Sequence, residues 1–494
     1  MSTDDFQLLF EELQTAFVNP ESLSTDALDL HAFSQSKYPQ FTGAPHAIVV
    51  HVNSTEDVVK VVRLASKYRV PVVPYTAVAC VECICRSLET ISGSFCRAAH
   101  QLVQFADVPL EEDSHAICEA GVVWNKLNDL LKSKGIPLFF PLDPGIGATI
   151  GGMISQGCSG TNAVRYGTAR GELVLNVTAV LPSGEVIKTR NIARKCAAGF
   201  DLTKLFIGAE GTLGIITEAT IRLMPRLPTS VAVVSFPDVQ SATQAVTEAL
   251  NHGAAIRKRC IRSIVSAIVE LLIILSPVLV TECAELVDDL YIRAVKNYGT
   301  YPMKWVEADT VLFKFQGSET VRADTSRLVE NVSNKYGGYG YMHITKEDEV
   351  DLLWSDRKNA LFGLLQMYPG SKGFITDVCV PVSKLPDLIV ATKHELASRN
   401  LVSPLGGHVG DGNFHCFIMY RNEEELALVR EVVDAMIQKA IALDGTCTGE
   451  HGVGLGKKEY LVRELGEGTV SLMKAIKATI DPLNLFNPGK LYPD

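Results

Sequence analysis

The sequence predicts an α+β protein of at least two domains, and three observations carry that expectation. At 494 residues the chain is well past the ~250–300 at which a single hydrophobic core stops growing. Strand and helix patterns alternate through the first 225 residues in β-α-β fashion. A composition shift at Pro225–Ser230 (PRLPTS) then precedes a fresh strand and a capped helix, so the second half reads as a separate α+β domain.

Composition narrows the function classes. Hydrophobic residues make up 47% and charged ones 21%, which suits a globular protein and not a disordered one. A net charge of −10 without a long basic run speaks against nucleic acid as a partner. The 12 cysteines follow no secreted-scaffold spacing and are expected to be reduced thiols. The N-terminus opens acidic (MSTDDFQLLFEELQTAF), with no signal-peptide or presequence character, so a cytoplasmic protein or a missing leader is expected. The run Ile264–Val280 approaches membrane-span hydrophobicity but is interrupted by Glu270 and Pro277. A buried helix or an anomalous insertion is preferred over a membrane span, and membrane association is not expected.

In chain order, residues 1–42 form an N-terminal helical segment, with a helix from Phe6 to Phe17. From Ala47 a strand leads through a Ser/Thr cap into an amphipathic helix with Val58, Val59, Val62 and Leu64 on its apolar side, then a strand at Val70–Val73. The alternation repeats with the strand ICEAGVVW, a helix over Trp124–Ser133 and Gly135 as its stop. Asp143–Gly167 carries seven glycines in 25 residues, interleaved with Thr149, Ser155, Ser159, Thr161 and Asn162. That density places backbone N–H groups against a ligand, or else makes a set of tight turns, with Gly151-Gly152 expected as a buried turn. A hairpin around Ser183-Gly184 follows, and then GFDLTKLFIGAEGTLGIITEATIRLMP, whose Gly208–Gly214 portion is a second small-residue, donor-rich loop. The chain closes with helices at Glu423–Leu443 and Val470–Ala478, and a turn-rich tail expected to dock back on the body.

Two further clusters carry chemistry. In His408-Val-Gly-Asp-Gly-Asn-Phe-His415 the glycines argue against a helix, so a turn or bulge must bring the histidines together. With Glu450 and His451 they offer ligands suited to Zn²⁺ or Mn²⁺, though satisfied core histidines would show the same residues. Arg357, in Trp354-Ser-Asp-Arg-Lys358, could form a bidentate pair with a carboxylate or be a solvated surface charge.

Taken together, PLDPGIGATIGGMISQGCSGTNAVRYGT, GFDLTKLFIGAEGTLGIITEATIRLMP, HVGDGNFH, GTCTGEHGVGLGKKEYL and DPLNLFNPGK resemble the FAD-dependent D-lactate dehydrogenase (cytochrome) family of the vanillyl-alcohol-oxidase flavoprotein superfamily. The resemblance covers most of the chain. It implies a two-subdomain FAD-binding domain at 43–226, an α+β substrate-capping domain at 227–494, and a C-terminal helical return to the flavin. It further implies that Pro144, Gly145, Thr149, Gly151, Gly152, Ser159, Asn162, Tyr166, Glu210, Gly211, Gly214, Ile216 and Asn487 contact FAD. His408, His415 and Glu450 would hold a divalent metal, Arg357 would grip the substrate carboxylate, and His451 would take the hydroxyl proton. The implied reaction is oxidation of D-lactate to pyruvate, with electrons passed to cytochrome c or a similar acceptor, in mitochondria. D-2-hydroxyglutarate or glycolate are the alternative substrates.

Two stretches depart from the family. Residues 76–108 replace a Gly/Ser-rich pyrophosphate loop with a cysteine-containing segment, and a shifted reading frame or misplaced splice junction would explain it. About 25 extra residues near 255–279 bring in the apolar run, expected as a poorly packed excursion. A damaged pyrophosphate loop leaves open a non-catalytic homologue that no longer binds FAD.

Overall fold

The computed structural model describes residues 3–34, 46–75, 95–98, 113–193, 195–262, 281–302 and 304–493, with 3, 4, 34, 95–98, 253–262, 359, 361 and 362 described as backbone. The aberrant segment 76–108 lies outside the described residues except for the strand at 95–98, and of the apolar insertion only the backbone of 255–262 is described. Among the described residues no helix is long and apolar enough to cross a membrane. The chain forms two compact units: Met1–Gly160 with Tyr166–Arg226 and Glu450–Asp494, and Thr161–Arg165 with Leu227–Gly449.

The first unit opens with helix α1 (Thr3–Ala16), and its first sheet has the order β1 (Leu23–Ser24), β2 (Ile48–His51), β4 (Phe95–Ala98), β3 (Val72–Tyr75). β4 runs parallel to both neighbours, and a parallel pair needs a crossover connection. Between β2 and β3 runs helix α2 (Thr55–Tyr68), capped by Ser54, whose hydroxyl accepts from the Asp57 N–H, and stopped at Arg69 in the left-handed region. Its buried residues are Val58, Val61, Val62 and Ala65, an i, i+3, i+4, i+7 stripe. Val59 and Leu64, expected on that face, pack only at its margin.

A second, antiparallel sheet has the order β5 (His115–Glu119), β9 (Ile215–Arg222), β7 (Val174–Val180), β8 (Val186–Lys188). Helix α3 forms over Trp124–Ser133, the predicted span, and buries Trp124, Leu127 and Leu131. Each such buried side chain contributes roughly 1.5–3 kcal/mol. Gly151-Gly152 is not a turn but the first turn of helix α4 (Ile150–Gln156), which Thr149 caps and Gly157 ends at φ +66°. First-turn N–H groups have no intrahelical acceptor to lose, so glycine costs less there than mid-helix. A Cβ at Gly151 would lie 2.6 Å from Ala120 Cβ, so glycine is what lets this helix seat beside the end of β5.

Residues 450–494 cluster with this unit and not with the residues that precede them. After a tail helix at Glu467–Ile480, Leu485 and Phe486 enter the core around the first sheet. Val72 N–H donates to Leu485 O at 2.7 Å, and Asn487 N–H donates to Val72 O at 2.9 Å. The tail thus runs as a short parallel partner of β3.

The second unit is built on one antiparallel sheet ordered β14 (Tyr339–Ile344), β11 (Thr229–Ser235), β13 (Thr310–Gln316), β12 (Thr281–Val287), β17 (Leu405–Gly407), β18 (Asn413–Tyr420), β15 (Lys372–Ile375), with β16 (Val378–Cys379) on β18. Helices α5 (Asp289–Tyr298) and α6 (Glu347–Met367) supply Ile292, Val295, Leu353 and Trp354 to the core beside it. β12 is buried at all seven positions, which explains why TECAELV shows no apolar alternation. Two of those positions are carboxylates, Glu282 and Glu285.

Candidate active site

In the first unit a cleft open to solvent is lined by Pro74, Tyr75, Gly151, Ser155, Gln156, Glu210, Gly211, Gly214, Ile215, Ile216, Asn487 and Lys490. Six residues expected at the flavin therefore meet here: Gly151, Glu210, Gly211, Gly214, Ile216 and Asn487. Pro144, Gly145, Thr149, Gly152, Ser159 and Tyr166 do not line it. Thr149 caps α4, Gly145 O accepts from Trp124 Nε1–H at 3.3 Å, and Tyr166 meets Phe139 edge to face at 5.8 Å. Asn162 belongs to the second unit and is buried there.

The cleft wall is held in conformations that side chains resist. Glu210 and Asn487 both sit at positive φ, +52° and +48°, where asparagine is tolerated and glutamate costs roughly 1–2 kcal/mol. Hydrogen bonds offset that cost. Asn487 Nδ2 donates to Glu210 O at 2.6 Å, and the Glu210 carboxylate accepts from Val453 N–H at 2.6 Å and Gly454 N–H at 2.8 Å. Gly211 is at φ +69°, and a Cβ there would meet Pro74 Cγ at 2.5 Å. Gly452 is equally tight, since its Cβ would come 2.8 Å from Glu210 Oε1. The segment that begins at Glu450 and His451 therefore packs its next residues on the cleft wall. Glu450 accepts the Ser159 Oγ–H bond at 2.6 Å, and both Glu450 and His451 are half-buried. Burial first, then the Glu450 and Asp143 carboxylates, pushes the Cys158 thiol well up, which leaves it protonated and a packing residue.

Sequence reasoning missed a residue that sets this geometry. Lys477, on the tail helix and only 7% exposed, donates to Thr212 O at 2.8 Å, Phe486 O at 2.8 Å and Asp481 Oδ2 at 2.5 Å. Asp481 in turn accepts from Leu485 N–H and Phe486 N–H. One buried ammonium thus ties the tail helix to the Glu210–Gly214 loop and to the strand that presents Asn487. The i+4 spacing of Lys477 and Asp481 was the available signal. Ser155 and Gln156 were missed because a helix, not a turn, presents them.

In the second unit, β17 and β18 form the hairpin that the glycines demanded. Gly406 pairs with His415, Asp411 N–H donates to His408 O, and Gly412 at φ +80° lies against Val380 O, where no Cβ fits. The result stacks His408 and His415 edge to face, centroids 5.5 Å apart, with ligand atoms within 4.8 Å. His415 Nδ1 donates to Thr376 O at 2.9 Å, and His408 Nδ1 meets Glu285 Oε1 at 2.7 Å. The other Glu285 oxygen accepts from Arg357 Nη2–H, while the guanidinium lies 6.0 Å over the Tyr291 ring. Arg357 is thus neither a surface charge nor an open clamp: Glu285 occupies one edge, and its Nε–H has no partner among the described residues. Asp377 accepts from Asn413 Nδ2 and Thr448 Oγ1, both at 2.8 Å, and a Cβ on Gly449 would lie 2.9 Å from it.

A model of the FAD binding domain matches residues 45–190, and one of the C-terminal domain of FAD linked oxidases matches 274–491. The mitochondrial D-lactate dehydrogenase (cytochrome) of Arabidopsis thaliana is 37% identical over 98% of this chain and 80% of its own length. A D-2-hydroxyglutarate dehydrogenase of Stutzerimonas stutzeri is 29% identical over 98% of each chain. Among solved structures, substrate-bound p-cresol methylhydroxylase superposes with a TM-score of 0.77 at 16% identity, covering 100% of this chain and 98% of that one, which shows the fold. An unpartnered, buried Asn487 Oδ1 and a glycine-walled cleft fit FAD as the group that the family binds. The chain belongs to the FAD-dependent D-lactate dehydrogenase (cytochrome) family.

Proposed function

We infer that this protein oxidises D-lactate to pyruvate and passes the electrons to cytochrome c or a similar carrier. The observation that carries the reading is the glycine-walled cleft of the first unit, which fits the FAD that the family binds. FAD, when bound, accepts the two electrons and the C2 hydrogen of the hydroxy acid.

The chain's own residues bind, orient and move the proton. Gly151, Glu210, Gly211, Gly214, Ile216 and Asn487 hold the flavin from the cleft. Contacts by Pro144, Gly145, Thr149, Gly152, Ser159, Asn162 and Tyr166 rest on the family resemblance. His408, His415 and Glu450 hold a divalent ion, Zn²⁺ or Mn²⁺. In a neutral His415 ring, Nδ1–H donating to Thr376 O leaves the lone pair on Nε2, the nitrogen a metal takes. A divalent ion held by those residues would supply Lewis-acid polarisation of the substrate hydroxyl, and His451, one residue past Glu450, would take its proton. Arg357 offers Nε–H to the substrate carboxylate while Glu285 fixes its other edge.

Residues 43–226 make the FAD domain and 227–494 the substrate-capping domain, whose C-terminal segment returns to the flavin. A mitochondrial site fits the names of the relatives, and no nucleic acid or membrane partner is proposed. Initial rates with cytochrome c test the substrate: D-lactate turnover should exceed that with D-2-hydroxyglutarate, glycolate and L-lactate by about tenfold or more. Preference for D-2-hydroxyglutarate or glycolate would replace the substrate but keep the chemistry. A chain that holds no flavin would instead be the non-catalytic homologue.

A further inference from the structure

Three lysines of the segment 450–494 are buried, Lys457, Lys477 and Lys490, and the last two differ in one respect. Lys477 uses all three donors of its ammonium on Thr212 O, Phe486 O and Asp481. Lys490 is 2% exposed, lines the flavin cleft, and has no hydrogen-bond or ion-pair partner among the described residues. An ammonium carried by a buried stem at the wall of an open cleft has no protein acceptor to give up, so it is placed to meet an acceptor that a ligand brings in. The one carboxylate in the cleft wall does not supply it, because Glu210 spends its oxygens on Val453 N–H and Gly454 N–H.

A second unsatisfied group stands three residues away. Asn487 gives Nδ2–H to Glu210 O, which fixes the amide orientation and leaves Oδ1 as a buried acceptor without a partner. The cleft therefore presents one acceptor and one cationic donor, close in sequence. A pyrophosphate offers only acceptors and would meet Asn487 Oδ1 with repulsion. The pyrimidine edge of a flavin alternates carbonyl acceptors with an N–H donor, and it gains negative charge when the ring is reduced. Apolar Pro74, Ile215 and Ile216 on the same wall suit a flat ring better than a phosphate.

We propose that Lys490 is a flavin-facing residue that, with Asn487, grips the pyrimidine edge of the isoalloxazine and stabilises the negative charge of its reduced form. The proposal rests on the reading of this cleft as the flavin site, and it assigns Lys490 a part in setting the redox potential. Neither the substrate nor the metal enters it.

The test is the flavin midpoint potential of the purified holoenzyme, measured by dye equilibration with a chemical reductant and no D-lactate, for wild type, Lys490→Met and Lys490→Arg. Lys490→Met should lose at least about tenfold in preference for reduced over oxidised flavin, a fall of about 30 mV for two electrons, and Lys490→Arg should stay near wild type. A Lys490→Met potential equal to wild type would overturn the assignment. Should Lys490→Met be isolated without FAD, the flavin-stripped chains are titrated with riboflavin, which carries the ring, and with ADP, which carries the pyrophosphate. Loss of riboflavin affinity with ADP affinity intact supports the ring assignment. Loss of ADP affinity alone overturns it in favour of a phosphate contact. Because reduction is chemical, a failed D-lactate assay would leave this result standing.

Discussion

Glu285 is the residue that holds two proposed site residues, His408 and Arg357. It is fully buried, one oxygen meets His408 Nδ1 at 2.7 Å, and the other accepts from Arg357. A partner on the far nitrogen fixes a ligand's ring orientation and raises its basicity, and losing such a partner commonly costs about 10–100-fold in metal affinity. Glu285→Gln should therefore weaken Zn²⁺ or Mn²⁺ binding by about that factor in a metal titration of the purified protein. Unchanged affinity would remove His408 from the ligand set. Replacing His415 with Ala should go further, lowering the bound metal measured by elemental analysis to near background while the flavin spectrum persists. The histidines were legible as candidates because glycines flank them, but Glu285 was not. Its strand is buried on both faces, so the alternation that would have marked a carboxylate as inward-facing is missing, and the partner lies 123 residues away in sequence.

At the scale of single elements, the tail helix and α5 make opposite use of buried charge. Lys477 is satisfied threefold, so Lys477→Met leaves Asp481 without its cation and frees the loop from Thr212. We expect a loss of about 3–5 kcal/mol, as for breaking a buried ion pair, read as a lower thermal midpoint. Faster FAD release should accompany it, since the same ammonium positions the strand carrying Asn487. Asp288, the N-cap of α5, is in the reverse situation: burial pushes its carboxyl up to about 7, against the pull of Lys393 and the Tyr291 N–H. The unfolded chain releases this proton near 3.9, so between about pH 4 and 7 the folded state binds the extra proton and stability falls as pH rises. Asp288→Asn keeps an acceptor for the cap, and its denaturation midpoint relative to wild type should improve steadily from pH 4 to 7 and then level off. Element identity was largely legible here. α3 was readable to the residue because its apolar spacing and Gly135 bracket it, whereas α4 was misread because two glycines in a first turn look like a loop when the Thr149 cap is not weighed.

At the scale of the whole molecule, the division of labour follows from what each unit buries. The first carries a glycine-walled cleft with a buried, unpaired Asn487 acceptor, and the second a histidine pair, His408 buried and His415 half-buried, on a sheet whose central strand carries two buried carboxylates. The fold class and the reaction class were legible because five motifs keep their order across most of the chain. The return of the tail was legible from its turn-rich sequence and the family resemblance, but not that the switch falls at Glu450 or that contacts such as Val72 with Leu485 make it, which no local pattern announces. Metal removal belongs to this scale: exhaustive chelation should abolish D-lactate turnover and leave bound FAD in place, and added Zn²⁺ or Mn²⁺ should restore it. Turnover that survives metal-free conditions would reassign the histidines to structure. The most direct test of the central claim is the visible absorption spectrum of the purified chain, recorded before and after anaerobic addition of D-lactate. Flavin bands that are present and bleach with D-lactate are the predicted result. A chain that takes up no flavin even when FAD is supplied, or one whose bands stay unchanged with every D-2-hydroxy acid tried, would contradict it.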